Sequence, residues 1–255
     1  MDRLLNMTRY GEGEGTPLLI AHGLFGSARN WGVLAKRFAA DRPVVAVDMR
    51  NHGDSFWADS QTYADLSDDL ARVIDEIGGQ ADVLGHSMGG KSAMMLALSK
   101  PELVRNLIIA DIAPVTYPAA PSEEVAAMKA VDLSAITRRS DADLQLQRYI
   151  ADPSVRAFLL QSIAMGDQPR WKLNLDVLDD AYGDIRAFPE VEGQFGGRTL
   201  FITGALSNYV QPKDEALIRQ HFPDVEIKPL ENAGHWLHAE QPRAFEETVN
   251  LFLNG

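Results

Sequence analysis

Short apolar runs alternate with longer amphipathic stretches along most of this chain. Residues 17–21 (Pro-Leu-Leu-Ile-Ala), 43–48 (Pro-Val-Val-Ala-Val-Asp), 81–84, 107–110 and 199–203 are apolar almost without a break. Runs of this length suit strands buried on both faces, as in a parallel sheet. A further strand is expected near 225–229, and segment 4–10 suits a strand ahead of the others. Helical patterns fill the gaps at 28–39, 62–77, 88–99, 213–221 and 242–253. In 62–77, Leu66, Leu70, Val73 and Ile77 fall on one face, and Gly78-Gly79 ends the helix. Gly11-Glu12-Gly13-Glu14-Gly15 reads as a turn, because its carboxylates would repel a phosphate and no Lys-Ser/Thr follows.

The alternation breaks after Asp111. Residues 112–197 have the composition of helices joined by loops. Ser122-Glu123-Glu124 opens one helix with acids in its first turn. Asp152-Pro153 opens another, as an N-cap followed by proline at the first helical position. Trp171, Leu173 and Leu175 alternate briefly with polar residues. The predicted fold class is therefore α/β: a mostly parallel central sheet flanked by helices. Residues 1–111 and 198–255 form the core, with 112–197 inserted as a helical cap in one structural domain. The 255 residues suffice to bury roughly three-quarters of the unfolded surface.

One junction carries chemistry. The run 81–84 leads into Gly85-His86-Ser87-Met88-Gly89-Gly90-Lys91, and a helical pattern leads out. Strand, sharp turn and helix around Gly-x-Ser-x-Gly is the context of a nucleophile elbow. The serine must sit on a strained turn, and its neighbours two residues away must be small because strand and helix approach closely. The helix then starts at Ser87, so its free N–H groups and positive dipole end face the place where an oxyanion would form.

Composition narrows the partners. There is no cysteine, which removes disulfides, thiolate catalysis and Cys-based zinc sites. A net charge of −12 repels phosphate backbones and anionic membranes, so neither nucleic acid nor a membrane is expected as partner. Residues 1–6 lack a signal-peptide pattern and no apolar run approaches the ~20 residues of a membrane helix. A cytoplasmic protein, monomeric or homodimeric, is expected. His52 and Asp54 with Asp48 do not make a metal site, since no close His pair accompanies them; no metal or cofactor is expected.

A nucleophilic serine needs a base, an acid that orients the base, and N–H donors for the oxyanion. In this architecture they follow the chain order Ser, acid, His. The bases after Ser87 are His221, His235 and His238. His235 follows the last predicted strand by a short loop, on the carboxyl-end rim where ligands collect in open α/β sheets. His221 is read as a solvated residue at a helix end, and His238 as structural. His22 and His86 are read as shaping their loops.

Three segments together resemble the α/β-hydrolase fold: His22-Gly23-Leu24-Phe25-Gly26-Ser27, the elbow itself, and Asn232-Ala233-Gly234-His235-Trp236-Leu237-His238. More narrowly, Met49-Arg50-Asn51-His52-Gly53, Lys91, Ala110-Asp111-Ile112-Ala113-Pro114 and residues 171–176 make the chain similar to the YbfF-type bacterial esterases and the related ABHD11-type hydrolases. The resemblance implies an esterase or thioesterase with Ser87 as nucleophile and His235 as base. It also implies that Leu24 and Met88 supply the oxyanion N–H groups, and that the insertion is a lid lining the acyl pocket.

Most of that superfamily carries Asp after the strand that here is 199–203, whereas this chain has Ser207 there. Serine cannot supply the charge that stabilises an imidazolium. Asp111 ends the preceding strand, about 4.8 Å away, and relatives with Ser at the later position place their acid there. Asp111 is thus expected to orient His235, with Ser207 as auxiliary partner; Asp176 in the lid is the weaker alternative. Lys91, a cation in a helix's first turn, opposes the dipole and is expected to have a carboxylate partner. Phe25, Met88, Trp171 and Trp236 are candidate pocket walls, though such residues are also ordinary core. The expected function is a serine carboxylesterase acting on small to medium acyl esters or thioesters. The alternatives are another reaction of the same triad (C–C bond hydrolysis, lactone opening, perhydrolysis) or a non-catalytic ligand receptor.

Overall fold

A computed structural model describes residues 3–118 and 120–255. Met1 and Asp2, part of the stretch read as lacking a signal peptide, lie outside the described residues. The strands are β1 (Asn6–Tyr10), β2 (Leu18–Ala21), β3 (Val44–Asp48), β4 (Ala81–His86), β5 (Val104–Ala110), the two-residue β6 (Ile163–Ala164) and β7 (Arg170–Trp171), β8 (Thr199–Gly204) and β9 (Val225–Leu230). Seven of them form one sheet in the order β1-β3-β2-β4-β5-β8-β9. Only β1, at one edge, runs antiparallel to its neighbour; every other pair is parallel.

The helices are α1 (Gly32–Phe38), α2 (Tyr63–Ile77), α3 (Met88–Ser99), α4 (Glu123–Lys129), α5 (Arg139–Leu146), α6 (Pro153–Leu160), α7 (Leu175–Asp180), α8 (Tyr182–Arg186), α9 (Glu215–His221), α10 (Leu237–Glu240) and α11 (Pro242–Asn254). Period-two alternation divides the buried strand residues between two cores. Leu19, Ala21, Val45, Val47, Val83, Leu107 and Ile109 face a cluster that includes Leu66, Leu70, Val73 and Ile74 of α2. Leu18, Ile20, Val44, Ala46, Leu84, Ile108 and Ala110 face the other, with Leu34 and Phe38 of α1 and Phe245 and Val249 of α11. The sheet is covered on both faces, which is why its strands read as unbroken apolar runs.

Local signals set the helix ends. Thr62 accepts from Asp65 N to open α2, and Gly78, at φ 127°, closes it. Asp152 accepts from Ser154 N and Val155 N with Pro153 at the first helical position, and Ser122 accepts from Val125 N. Four details differ from the sequence reading. The strand expected at 4–10 starts at Asn6. The helix expected from residue 28 begins as a 3₁₀ turn, Ala28–Trp31. The alternation around Trp171 is a short antiparallel ladder with β6. The segment after β9 contains α10 before the last helix.

Candidate active site

Strand register brings the chemistry together. His86 lies opposite Ala110, and Ala110 opposite Ile202. Ser87 and Asp111, each one residue past its strand, therefore leave the sheet at one level. Their N–H groups donate to Ala110 O (3.1 Å) and Ile202 O (2.8 Å). Both adopt positive φ, 52° and 49°, a conformation costing a non-glycine residue about 1–3 kcal/mol. At the elbow the flanking glycines are obligatory. A Cβ on Gly85 would lie 2.3 Å from Gly89 O, and one on Gly89 would lie 2.4 Å from Ala21 O.

His235 arrives on the loop after β9. Ser87 Oγ donates to its Nε2 (3.1 Å), and its Nδ1 donates to Asp111 Oδ2 (2.8 Å). A carboxylate only accepts, so this pairing fixes the tautomer with the proton on Nδ1. Asp111 is fully buried and accepts twice more, from Ser207 Oγ on Oδ2 (2.5 Å) and from Gly204 N on Oδ1 (2.9 Å). Ser87, His235, Asp111 and Ser207 thus form one hydrogen-bonded chain. Asp176 is not part of it: its side chain is 89% exposed and faces Lys129.

Leu24 and Met88 line the same cavity as Ser87, and their N–H groups have no acceptor among the described residues. The neighbouring donors of the Leu24 loop are taken: Phe25 N by His52 Nε2 (3.2 Å) and Gly26 N by Gly23 O (3.0 Å). His52 is therefore a brace for this loop, a role that its position in the sequence did not reveal. Its Nδ1 donates to Arg50 O (2.8 Å). His22 braces the same region, accepting from Met49 N (2.9 Å) and donating to Gly23 O (2.7 Å). Asp48 accepts from Ala28 N and Asp54 N, both at 2.8 Å, so it ties loops together. Among the described residues, no cluster of three or more His, Cys, Asp or Glu side chains is placed to hold a metal ion.

His235 has its own supports. His86 Nε2 donates to His235 O (2.9 Å), and Tyr209 stacks on the His235 ring at 4.0 Å. His238 stacks on Trp31 at 4.3 Å; the hydrogen bonds of Ser87 Oγ and the Asp111 carboxylate go to His235, Ser207 and Gly204 instead. His221 is buried, not solvated, and pairs with Gly193 O (3.2 Å). The loop 193–195 folds over the end of α9 and covers it.

Burial keeps four of these rings neutral. It is the main cause that lowers His22, drives His86 well below the usual range, and holds His52 and His238 at about 3. Unfolded, each ring binds a proton near 6.5. Between 6.5 and about 3 the unfolded state binds more protons, so stability falls as pH falls, by ~1.4 kcal/mol per pH unit per ring. At about pH 4.5, His52 and His238 together cost roughly 5 kcal/mol, a large share of a domain's ~5–15 kcal/mol. Urea unfolding at pH 7 and pH 4.5 measures this. A large drop in midpoint is expected, and an unchanged midpoint would show that the rings are not neutral in the fold.

Lys91 departs from expectation. It is 1% exposed and has no carboxylate partner among the described residues. Its Nζ donates to three main-chain carbonyls, of Val115 (2.9 Å), Arg186 (2.8 Å) and Ala187 (2.7 Å). Burial, reinforced by the charge of Arg186, lowers its pKa to about 7.

Ser87 and His235 open into a cavity of about 150 Å³. Phe25, Met88, Val155, Phe158, Leu159 and Trp236 supply apolar wall, while Lys91, Glu124, Tyr182 and Arg186 supply polar groups. Trp171 is not on this wall. Its indole N–H donates to Met128 O (3.1 Å), which places it against helix α4.

A parallel sheet with serine, histidine and aspartate joined at its carboxyl rim defines a class, and comparison with known proteins agrees with it. The profile of the alpha/beta hydrolase family matches residues 18–248. The chain is 40% identical over 246 residues to the sn-1-specific diacylglycerol lipase ABHD11 of Mus musculus, covering 92% of this chain and 80% of that protein. It is 34% identical over 249 residues to esterase YbfF of Escherichia coli (strain K12), covering 97% and 96%. A solved marine microorganism esterase superposes with a TM-score of 0.94 at 36% identity, covering 98% of this chain and all of that one. The chain belongs to the alpha/beta hydrolase family. Its relatives set it among the hydrolases of esterase and lipase type. Among the described residues, no helix is long and apolar enough to cross a membrane.

Proposed function

We propose that this protein is a serine carboxylesterase for small to medium acyl esters or thioesters. The observation that carries the reading is the hydrogen-bonded chain from Ser87 through His235 to Asp111, beside two acceptor-free N–H groups. His235 takes the Ser87 proton as Oγ attacks the acyl carbon. Leu24 N–H and Met88 N–H receive the developing oxyanion, each such donor being worth ~10²–10³ in rate. His235, now protonated and held by Asp111, passes the proton to the leaving alcohol or thiol. Water activated by His235 then releases the acid. In this reading residues 112–197 are a cap on a core made of 1–111 and 198–255.

The test is hydrolysis of a series of p-nitrophenyl esters from acetyl to decanoyl. Repeated turnover is expected, fastest with the shorter acyl groups, because a cavity of about 150 Å³ lies below the ~300–1,000 Å³ of a drug-sized site. Binding without turnover on every ester and acyl thioester would indicate a receptor and end the esterase reading.

A further inference from the structure

Among the side chains that tie the inserted segment to the core, one is a buried cation that the proposed reaction does not use. Lys91 lies one turn into α3, and its own N–H donates to Ser87 O (3.0 Å). An ammonium has three donors and no acceptor. Here all three are satisfied, one by Val115 O, where the chain has just left β5, and two by Arg186 O and Ala187 O, at the end of α8. One nitrogen therefore joins the outgoing and returning connections of the insertion to the helix that begins at the nucleophile. The rings of Tyr117 and Tyr63 stand 4.7 and 5.8 Å from the same nitrogen. Both tyrosines also hold the junction: Tyr63 donates to Ile185 O (2.7 Å) and Tyr117 to Tyr209 O (2.6 Å).

The choice of acceptor matters. A side-chain ion pair would leave the main chain free to shift, whereas bonds to carbonyls fix the segment itself. The segment fixed here carries Tyr182, Ile185 and Arg186, which line the same cavity as Ser87. Buried carbonyls that lose a charged donor must find another partner or water.

We propose that Lys91 is a positioning residue that holds the α8 wall of the cavity at a fixed distance from Ser87 and thereby sets the acyl length the enzyme accepts. The inference rests on the esterase reading and deepens it. The experiment compares Lys91→Met, of similar length and without donors, and Lys91→Gln, which keeps two N–H groups, with the wild type on the same p-nitrophenyl ester series. In Lys91→Met, kcat/KM on the shortest esters should fall about tenfold, mainly through KM, and the optimum should move to longer acyl groups. Lys91→Gln should fall between the two. An unchanged chain-length profile, or a drop in kcat uniform across the series, overturns the proposal.

Hydrogen exchange of the wild type supplies an arm that needs neither variant folding nor ester turnover. Amides in 182–188 should exchange as slowly as those of α3, and rapid exchange there also overturns the proposal. Absence of turnover by the wild type would remove the esterase reading, with the exchange result still deciding whether the clamp exists.

Discussion

Replacing Ser87 by alanine should abolish turnover of p-nitrophenyl esters, lowering kcat by a factor on the order of 10⁶ with KM little changed. The geometry dictates the size and the split. Among the described residues, Ser87 Oγ is the sole oxygen that donates to His235 Nε2, so on the proposed mechanism its loss removes the attacking atom and leaves the base with nothing to deprotonate except water. The cavity walls and the N–H groups of Leu24 and Met88 are untouched, so ester binding and some polarisation of its carbonyl persist. A residual rate ~10³–10⁴ above that of water alone is therefore expected. The measurement is steady-state hydrolysis by the two proteins, with urea unfolding to show that the variant is folded. Alanine at this position can adopt the φ of 52° no better than serine, so stability should be unchanged. A variant within tenfold of wild type would show that Ser87 is not the nucleophile.

The features legible in the sequence were those governed by local sterics or by burial on both faces. Gly85 and Gly89 announced the elbow because backbone comes within 2.3–2.4 Å of where their Cβ atoms would stand, a constraint that no other residue type meets. The strands were readable because helices cover both sheet faces. What escaped depended on approaches between distant segments. Lys91 was expected to meet a carboxylate, since a cation in a helix's first turn opposes the dipole; carbonyls from two separate parts of the chain take that place. Trp171 was a candidate wall because it is aromatic, but residue type does not say which side of a helical layer a ring faces. His52 was set aside as a metal ligand and given no other role, and its bond to Phe25 N exists only once the loops after β2 and β3 are neighbours. Of the two-residue strands, β7 was marked only by a brief alternation from Trp171, and β6 is too short for periodicity to mark it.

Asp111→Asn should lower kcat by about 10⁴, while Ser207→Ala should cost only about ten- to a hundredfold, the worth of one hydrogen bond to a charged group at ~1.5–3 kcal/mol. The contrast follows from what each side chain offers the base. Asp111 Oδ2 accepts from His235 Nδ1 and so leaves Nε2 free to receive the serine proton. An asparagine there can present its NH₂ to the ring. Nδ1 must then accept, the proton moves to Nε2, and Ser87 faces a donor. On the proposed mechanism, the imidazolium formed during attack also loses its countercharge. Ser207 never touches the ring; it donates to Asp111 Oδ2 and helps Gly204 N to hold the carboxylate in place. Its loss loosens the acid without changing the tautomer. Because β5 and β8 are adjacent and parallel, an acid at position 207 starts one strand away from the one it would replace. Ser207→Asp added to Asp111→Asn should therefore recover part of the lost kcat, and the pair of single variants measured on one ester decides between the two positions. Equal losses in Asp111→Asn and Ser207→Ala would mean that the two residues act as one inseparable unit. A loss confined to Ser207→Ala would move the acid's role away from Asp111.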